Sequence, residues 1–272
     1  MSQERDYVLG THDAELERLG LQHRLWRPQM LAAWRRARIA PGQIVLDVGA
    51  GPGYAALDLA EIVGREGRVI ALERSRRFLE VLSARASARG LEQLETHEAD
   101  VVSSDFGVRG ADAAWCRWVL CFVSDPRAVI RRIRAALRPG GVAVFHEYLD
   151  YGSWRLLPAA PAQERFVREV MASWRADGGD PDVGRELPQL LVQHGFRLSA
   201  TRLHIEALAP EDPMWRWPQV FAETGTARLV ELGRMTTAEA SEVLAAFEHA
   251  ARTPHARMIT PCVLEVIAHA ES

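Results

Sequence analysis

Val45-Leu-Asp-Val-Gly-Ala-Gly-Pro-Gly-Tyr54 is an apolar run that passes straight into three glycines, Gly49, Gly51 and Gly53, with Asp47 two residues before the first. Ile44, Val45, Leu46 and Val48 have the β-branched, unalternating composition of a strand covered on both faces. Bare backbone at the three glycines lets the chain turn sharply, and lets a ligand or the next helix come close to the main chain around Ala50. Tyr54 to Ile62 then reads as a helix whose apolar stripe carries Leu57, Leu59, Ala60 and Ile62. Strand, loop and helix make the first βα unit of a doubly wound sheet, whose ligands bind beyond the carboxyl ends of the strands.

Two ligand classes use such a unit. A dinucleotide loop is G-x-G-x-x-G, its third glycine letting helix and strand pack closely. This loop is G-x-G-x-G, and Tyr54 stands where that third glycine belongs. Asp47 also suits a cationic ligand better than a pyrophosphate. Here the chain resembles the class I S-adenosylmethionine-dependent methyltransferases, whose first motif has this form.

The resemblance runs through residues 40–150. Arg68 to Leu72 reads as a second strand, with Glu73 at its end, twenty positions past Gly53. A carboxylate there can accept both ribose hydroxyls, in methyltransferases and NAD enzymes alike, and Arg74 falls beside it. Leu94 to Ala99 reads as a third strand running into Asp100-Val101. The resemblance implies that Asp100 meets the adenine amino group and that the Val101 amide meets the ring; strand-end capping is the competing reading of Asp100. Asp112 to Val119 reads as strand four, with Arg117 and Trp118 near the methionine portion, although Arg117 is equally compatible with a surface ion pair. Ala135-Ala-Leu-Arg-Pro-Gly-Gly141 closes a helix and turns into strand five, Val142 to His146. The implied fold is α/β: a Rossmann-like class I methyltransferase sheet of seven strands, mostly parallel with the last antiparallel. Helical N-terminal and substrate-side cap insertions accompany it. The implied cofactor is S-adenosylmethionine, with S-adenosylhomocysteine as product.

Ahead of the core, residues 1–39 form a helical cap. Asp13 is a candidate N-cap, Leu16, Leu19, His23, Trp26 and Met30 recur at helical spacing, and Pro28 is expected to divide the segment. Tyr7 to Trp26 resembles the leader of stand-alone bacterial methyltransferases, which implies cofactor contact by Tyr7 and Gln22 and acceptor contact by Trp26. A helix that only covers the sheet edge is the alternative. Beyond the core at 40–150, residues 151–195 form a helical insertion around Tyr151, Trp154, Phe166 and Trp174. Residues 196–272 return to the sheet through strands at Phe196 to Ile205 and Ile259 to Ala268, with a second insertion at about 207–257. That insertion carries Trp215, Trp217, Phe221 and a helix from Thr237 to Arg252 capped by Thr236 or Thr237. These aromatics fit either a flat, hydrophobic acceptor or the internal packing of the cap.

Composition narrows the function. The 272 residues are 48% hydrophobic, enough for one large core and a smaller cap. No apolar run approaches the roughly 20 residues of a membrane span, and the first residues lack a signal-peptide core, so a cytoplasmic protein is expected. Thirty-three basic against thirty-six acidic residues argue against a nucleic-acid partner. Cys116, Cys121 and Cys262 are odd in number and form no C-x-x-C, which fits buried free thiols. No metal is expected, because strand four ends in Arg117-Trp118 rather than in oxygen ligands. A homodimer is compatible with an N-terminal helix that caps its own site or swaps to a partner.

Methyl transfer from a sulfonium mainly requires holding the acceptor in line, with a general base where a hydroxyl or protonated amine must lose a proton. His146 is the first candidate base, ahead of Glu147, Tyr148 and Tyr151. Trp26, Trp118, Tyr148 and Tyr151 are the candidate acceptor wall. The expected function is methylation of O or N of a small, apolar or aromatic metabolite. A macromolecule methyltransferase, a catalytically silent S-adenosylmethionine-binding protein and an NAD-dependent oxidoreductase are the alternatives.

Overall fold

The computed structural model describes residues 13–272. The central strands are β1 (Ile44–Val48), β2 (Arg68–Glu73), β3 (Leu94–Glu98), β4 (Ala111–Arg117), β5 (Leu137–Asp150), β7 (Phe196–His204) and β10 (Cys262–Ala270). They form one seven-stranded sheet in the order β3-β2-β1-β4-β5-β10-β7. All pairings from β3 to β5 are parallel, whereas β10 runs antiparallel to both of its neighbours. The order reverses between β1 and β4, which opens a crevice beyond their carboxyl ends. This is the Rossmann-like sheet that the glycine motif implied.

Strict alternation sorts the core into two faces. Val45, Val69, Ala71, Ala113, Trp115, Val142 and Val144 belong to one buried cluster, together with residues of α1 (Asp13–Arg36), α2 (Tyr54–Val63) and α3 (Arg76–Ala88). Leu46, Val48, Ile70, Leu72, Ala114, Cys116, Ala143 and Phe145 face the other way, against α4 (Pro126–Ala136), α6 (Leu187–Gln193) and the accessory helices. The accessory layer comprises α5 (Pro161–Ala176), α7 (Arg216–Glu231) and α8 (Thr237–Ala251). Local chemistry sets the helix starts: Ser75 and Asp125 cap α3 and α4, and Thr236 with Glu239 builds a capping box on α8.

Three expectations change. Pro28 does not divide the N-terminal segment; α1 is one helix of 24 residues. Arg24 and Pro28 both lie on its exposed side, so water can serve the carbonyl that proline leaves without a donor. Asp13, where the described residues begin, accepts a bond from Arg77 at 2.6 Å. The Pro139-Gly-Gly141 turn is folded into β5, which starts at Leu137 and pairs with β4 across a bulge after Ala111. Gly141 belongs there because a Cβ would lie 3.0 and 3.1 Å from the Arg138 and Ala111 carbonyl oxygens. Finally, the residues expected to begin the last strand at Ile259 split between two sheets. β9 (Arg257–Ile259) joins β6 (Arg155–Leu157) and β8 (Ala207–Leu208) in a three-stranded sheet, and β10 begins after Thr260-Pro261. Among the described residues, no helix is long and apolar enough to cross a membrane.

Candidate active site

A cavity of about 950 Å3 occupies the crevice at the carboxyl ends of β1, β2, β3 and β4. Gly49 and Ala50 both donate backbone bonds of 2.9 Å to the Leu72 carbonyl, fixing the glycine loop against the end of β2. Glu73 completes that link. One of its carboxylate oxygens accepts the Gly51 amide at 2.9 Å and the other the Ser75 amide at 2.8 Å. Each oxygen keeps further acceptor capacity for a ligand hydroxyl. Burial raises the Glu73 pKa, and these amide bonds oppose the shift.

Asp47 is 2% exposed, and its Oδ2 has no hydrogen-bond partner. Burial lifts its pKa to about 7, against the pull of Arg117. A buried acceptor left open on a cavity wall fits a cationic ligand group. Arg117, at the end of β4, has its own pKa lowered to about 10 by burial. Its guanidinium carbon lies 5.1 Å from the centre of the Trp118 ring. After β3, Asp100 caps its own turn by accepting the Val102 and Ser103 amides at 2.8 and 3.2 Å, while also lining the cavity.

The cavity thus brings together Gln22, Asp47, Gly49, Ala50, Gly51, Glu73, Arg74, Asp100, Val101, Arg117 and Trp118. Gly53 is not on its wall: at φ 80°, a Cβ there would lie 2.1 Å from Leu82 Cδ1, so this glycine serves the packing of loop on α3. Tyr7 lies outside the described residues.

The expected base and much of the expected acceptor wall stand behind the cavity. His146 is wholly buried on the α1 side of β5, where its Nε2 pairs with Glu265 Oε2 at 3.2 Å. His204 reaches the same oxygen at 3.1 Å, and Arg36 pairs with Glu265 Oε1 at 2.5 Å. Burial lowers the His146 pKa to about 4; it tends to raise that of Glu265, but the bonds from His146, His204 and Arg36 prevail and lower it. His146 is therefore a member of a buried polar cluster that fastens α1 to β10. His146, His204 and Glu265 bring three ligand-type atoms within 4.8 Å of one another, yet a dication there would meet the Arg36 guanidinium at close range. Trp26 packs edge-on against Trp118, His146, His204 and Trp217, one layer behind the wall. Tyr148 stacks on the far side of Trp118 at 5.6 Å and meets Tyr151 at 4.8 Å. Glu147 points to the opposite face from His146, where its carboxylate is occupied by backbone amides.

Sequence reasoning missed several wall residues. Leu19 of α1, Phe122 to Ser124 after β4, Asp177 after α5, and Arg228 and Leu232 of the α7 region converge only in three dimensions. Tyr54 had a signal, its substitution for glycine. Its hydroxyl donates to the Leu16 carbonyl at 3.0 Å and accepts from Arg85, so the loop motif holds α1 over the cavity. Gly20 makes room, since a Cβ would lie 2.7 Å from that hydroxyl.

The chain is similar to known proteins in sequence and in fold. Residues 45–141 match a family model described as a methyltransferase domain. A 2-phytyl-1,4-naphtoquinone methyltransferase of Synechococcus elongatus is 34% identical over 154 residues, covering 56% of this chain and 61% of that protein. The chain spans about half the length of the curated relatives it matches. Among solved structures, the YcgJ protein of Bacillus subtilis superposes with a TM-score of 0.58 at 15% identity, over 92% of this chain and 99% of that one. The [4+2]-cyclase SpnF superposes with a TM-score of 0.53 at 19% identity, over 88% and 79%.

Proposed function

We propose that this chain, a class I S-adenosylmethionine-dependent methyltransferase by its domain and its sheet, methylates a small apolar or aromatic metabolite by direct displacement. The observation that carries the reading is the open, buried carboxylate of Asp47 in one cavity with the glycine loop and Glu73. Bound there, S-adenosylmethionine supplies an electrophilic methyl on a sulfonium. Glu73 receives the ribose hydroxyls, Asp47 the ammonium of the methionine portion, and Asp100 with the Val101 amide the adenine. Arg117 and Trp118 border the methionine end.

Beyond these groups the cavity continues to Leu19, Phe122, Val123 and Leu232, with Ser124, Asp177 and Arg228 among them. A wall of apolar side chains with polar groups set among them suits a small molecule that is flat and carries polar substituents, and the naphthoquinone named for one relative is of that class. Helix α1 borders this end through Leu19 and Gln22. With His146 behind the wall, an acceptor that arrives ionised, or that reacts at an electron-rich ring position, requires least of the protein. A second reading is a protein that binds the cofactor without transferring methyl; a solved structure of the same fold is named a cyclase rather than a methyltransferase.

Methyl-labelled S-adenosylmethionine incubated with the protein and separate pools of metabolites, naphthoquinols, RNA and protein tests this function. Label in a small molecule is expected. Label confined to RNA or protein would overturn the small-molecule assignment, and S-adenosylmethionine binding without transfer to any pool would favour the silent binder.

A further inference from the structure

We propose that Glu147 is a positioning residue, which sets the cofactor slot by holding the cavity wall opposite the glycine loop. Its carboxylate is completely buried, a costly placement unless fully used. Oε1 accepts the Val119 amide at 2.9 Å and the Leu120 amide at 2.8 Å, and Oε2 accepts the Cys121 amide at 3.3 Å. The amide before them, Trp118, donates to the His146 carbonyl at 2.9 Å. Two consecutive residues of β5 thereby capture four consecutive amides after β4.

The captured turn shapes the site. Trp118 stands at φ 52°, a left-handed conformation that strains a bulky residue and persists only where the surroundings impose it. The four amide bonds impose it, with the Trp118 indole stacked between Trp217 and Tyr148. The turn then sets Val119 against the glycine loop, where a Cβ on Gly49 would lie 2.4 Å from Val119 Cγ2. Trp118, Val119, Phe122, Val123 and Ser124 all line the cavity, so the part of its wall that follows β4 hangs on this turn. Glu147 touches neither cofactor nor acceptor in this arrangement; it acts through the wall.

The role rests on the cavity being the cofactor site, and the test separates the two. Backbone hydrogen exchange is measured on the free protein, and S-adenosylhomocysteine affinity by calorimetry, for wild type, Glu147→Ala and Glu147→Gln. In Glu147→Ala the amides of residues 119–121 are expected to exchange about tenfold faster or more, with affinity weaker by a similar factor. The glutamine oxygen can replace Oε1, so Glu147→Gln should keep Val119 and Leu120 protected, lose protection at Cys121, and bind within about threefold of wild type. If Glu147→Ala does not fold, that selective pattern in Glu147→Gln carries the test, and uniform loss of protection at 119–121 overturns the role. Unchanged exchange in Glu147→Ala, or faster exchange with unchanged affinity, also overturns it. Failure of the wild type to bind S-adenosylhomocysteine overturns the cofactor reading itself.

Discussion

Two alanine substitutions two positions apart in the glycine loop, Gly51→Ala and Gly53→Ala, should produce opposite defects. Both glycines are left-handed, at φ 56° and 80°, and an alanine forced there costs about 1–2 kcal/mol. At Gly53 the added methyl would also lie 2.1, 2.6 and 2.7 Å from the atoms of the buried Leu82 side chain. Overpacking of that kind costs about 1–3 kcal/mol more, so Gly53→Ala should lose about 2–5 kcal/mol of stability, a fall in Tm of roughly 5–15 °C for a chain of this size. At Gly51, which lines the cavity, the methyl meets no protein atom within 4 Å. Gly51→Ala should therefore cost only the backbone strain in stability while weakening S-adenosylhomocysteine by about tenfold or more, since the site would have to displace either methyl or ligand. Scanning calorimetry and ligand titration on the two purified variants read both quantities. A Gly53→Ala protein that melts like wild type but binds weakly, or a Gly51→Ala protein that binds like wild type, would refute the division of labour within the loop.

Other consequences follow from the buried charges and from α1. Asp47 must be ionised to receive an ammonium group, so S-adenosylhomocysteine affinity should rise with pH up to about 7 and level off above it, and Asp47→Asn should abolish this dependence in titrations from pH 5.5 to 8.5. For the free protein the sign is opposite: a carboxyl whose folded pKa is raised contributes stability that is complete below its unfolded value of about 4 and is lost as pH rises through about 7. Urea melts of wild type should thus converge toward those of Asp47→Asn at low pH and fall below them above pH 7. His146→Ala should lower stability by about 1–3 kcal/mol through the loss of a buried partner of Glu265, with cofactor affinity retained; a selective loss of methyl transfer at unchanged stability would restore His146 as a base. Tyr54→Phe removes the bond to Leu16, so hydrogen exchange in the first turns of α1 should accelerate while the sheet stays protected.

The legible parts of this protein were those encoded locally. The β1 strand, its glycine loop and α2 lie within twenty residues, and Glu73 and Arg117 end their strands while Asp100 follows β3 by two residues, so parallel pairing brings them to the same edge. His146 was misplaced because alternation along β5 decides which face a residue takes. Its partner Glu265 is 119 residues away in a strand that pairs antiparallel to β5. Glu147 stands among the further candidate bases in sequence, and nothing near it in the chain shows that residues 119–121 direct their amides at it. The acceptor end draws on α1, the segment after β4, α5 and α7, and no spacing rule connects Leu19 with Leu232. The sheet of β6, β8 and β9 has strands of two or three residues, too short to leave a period-two signature.

The most direct test of the central claim is calorimetric titration of S-adenosylhomocysteine into wild type and into Glu73→Ala, with Asp47→Asn alongside. The account predicts one site per chain in the wild type, affinity weaker by about tenfold or more in each variant, and melting of Asp47→Asn no lower than wild type above pH 7. No binding by the wild type, or binding untouched by both substitutions, would contradict it.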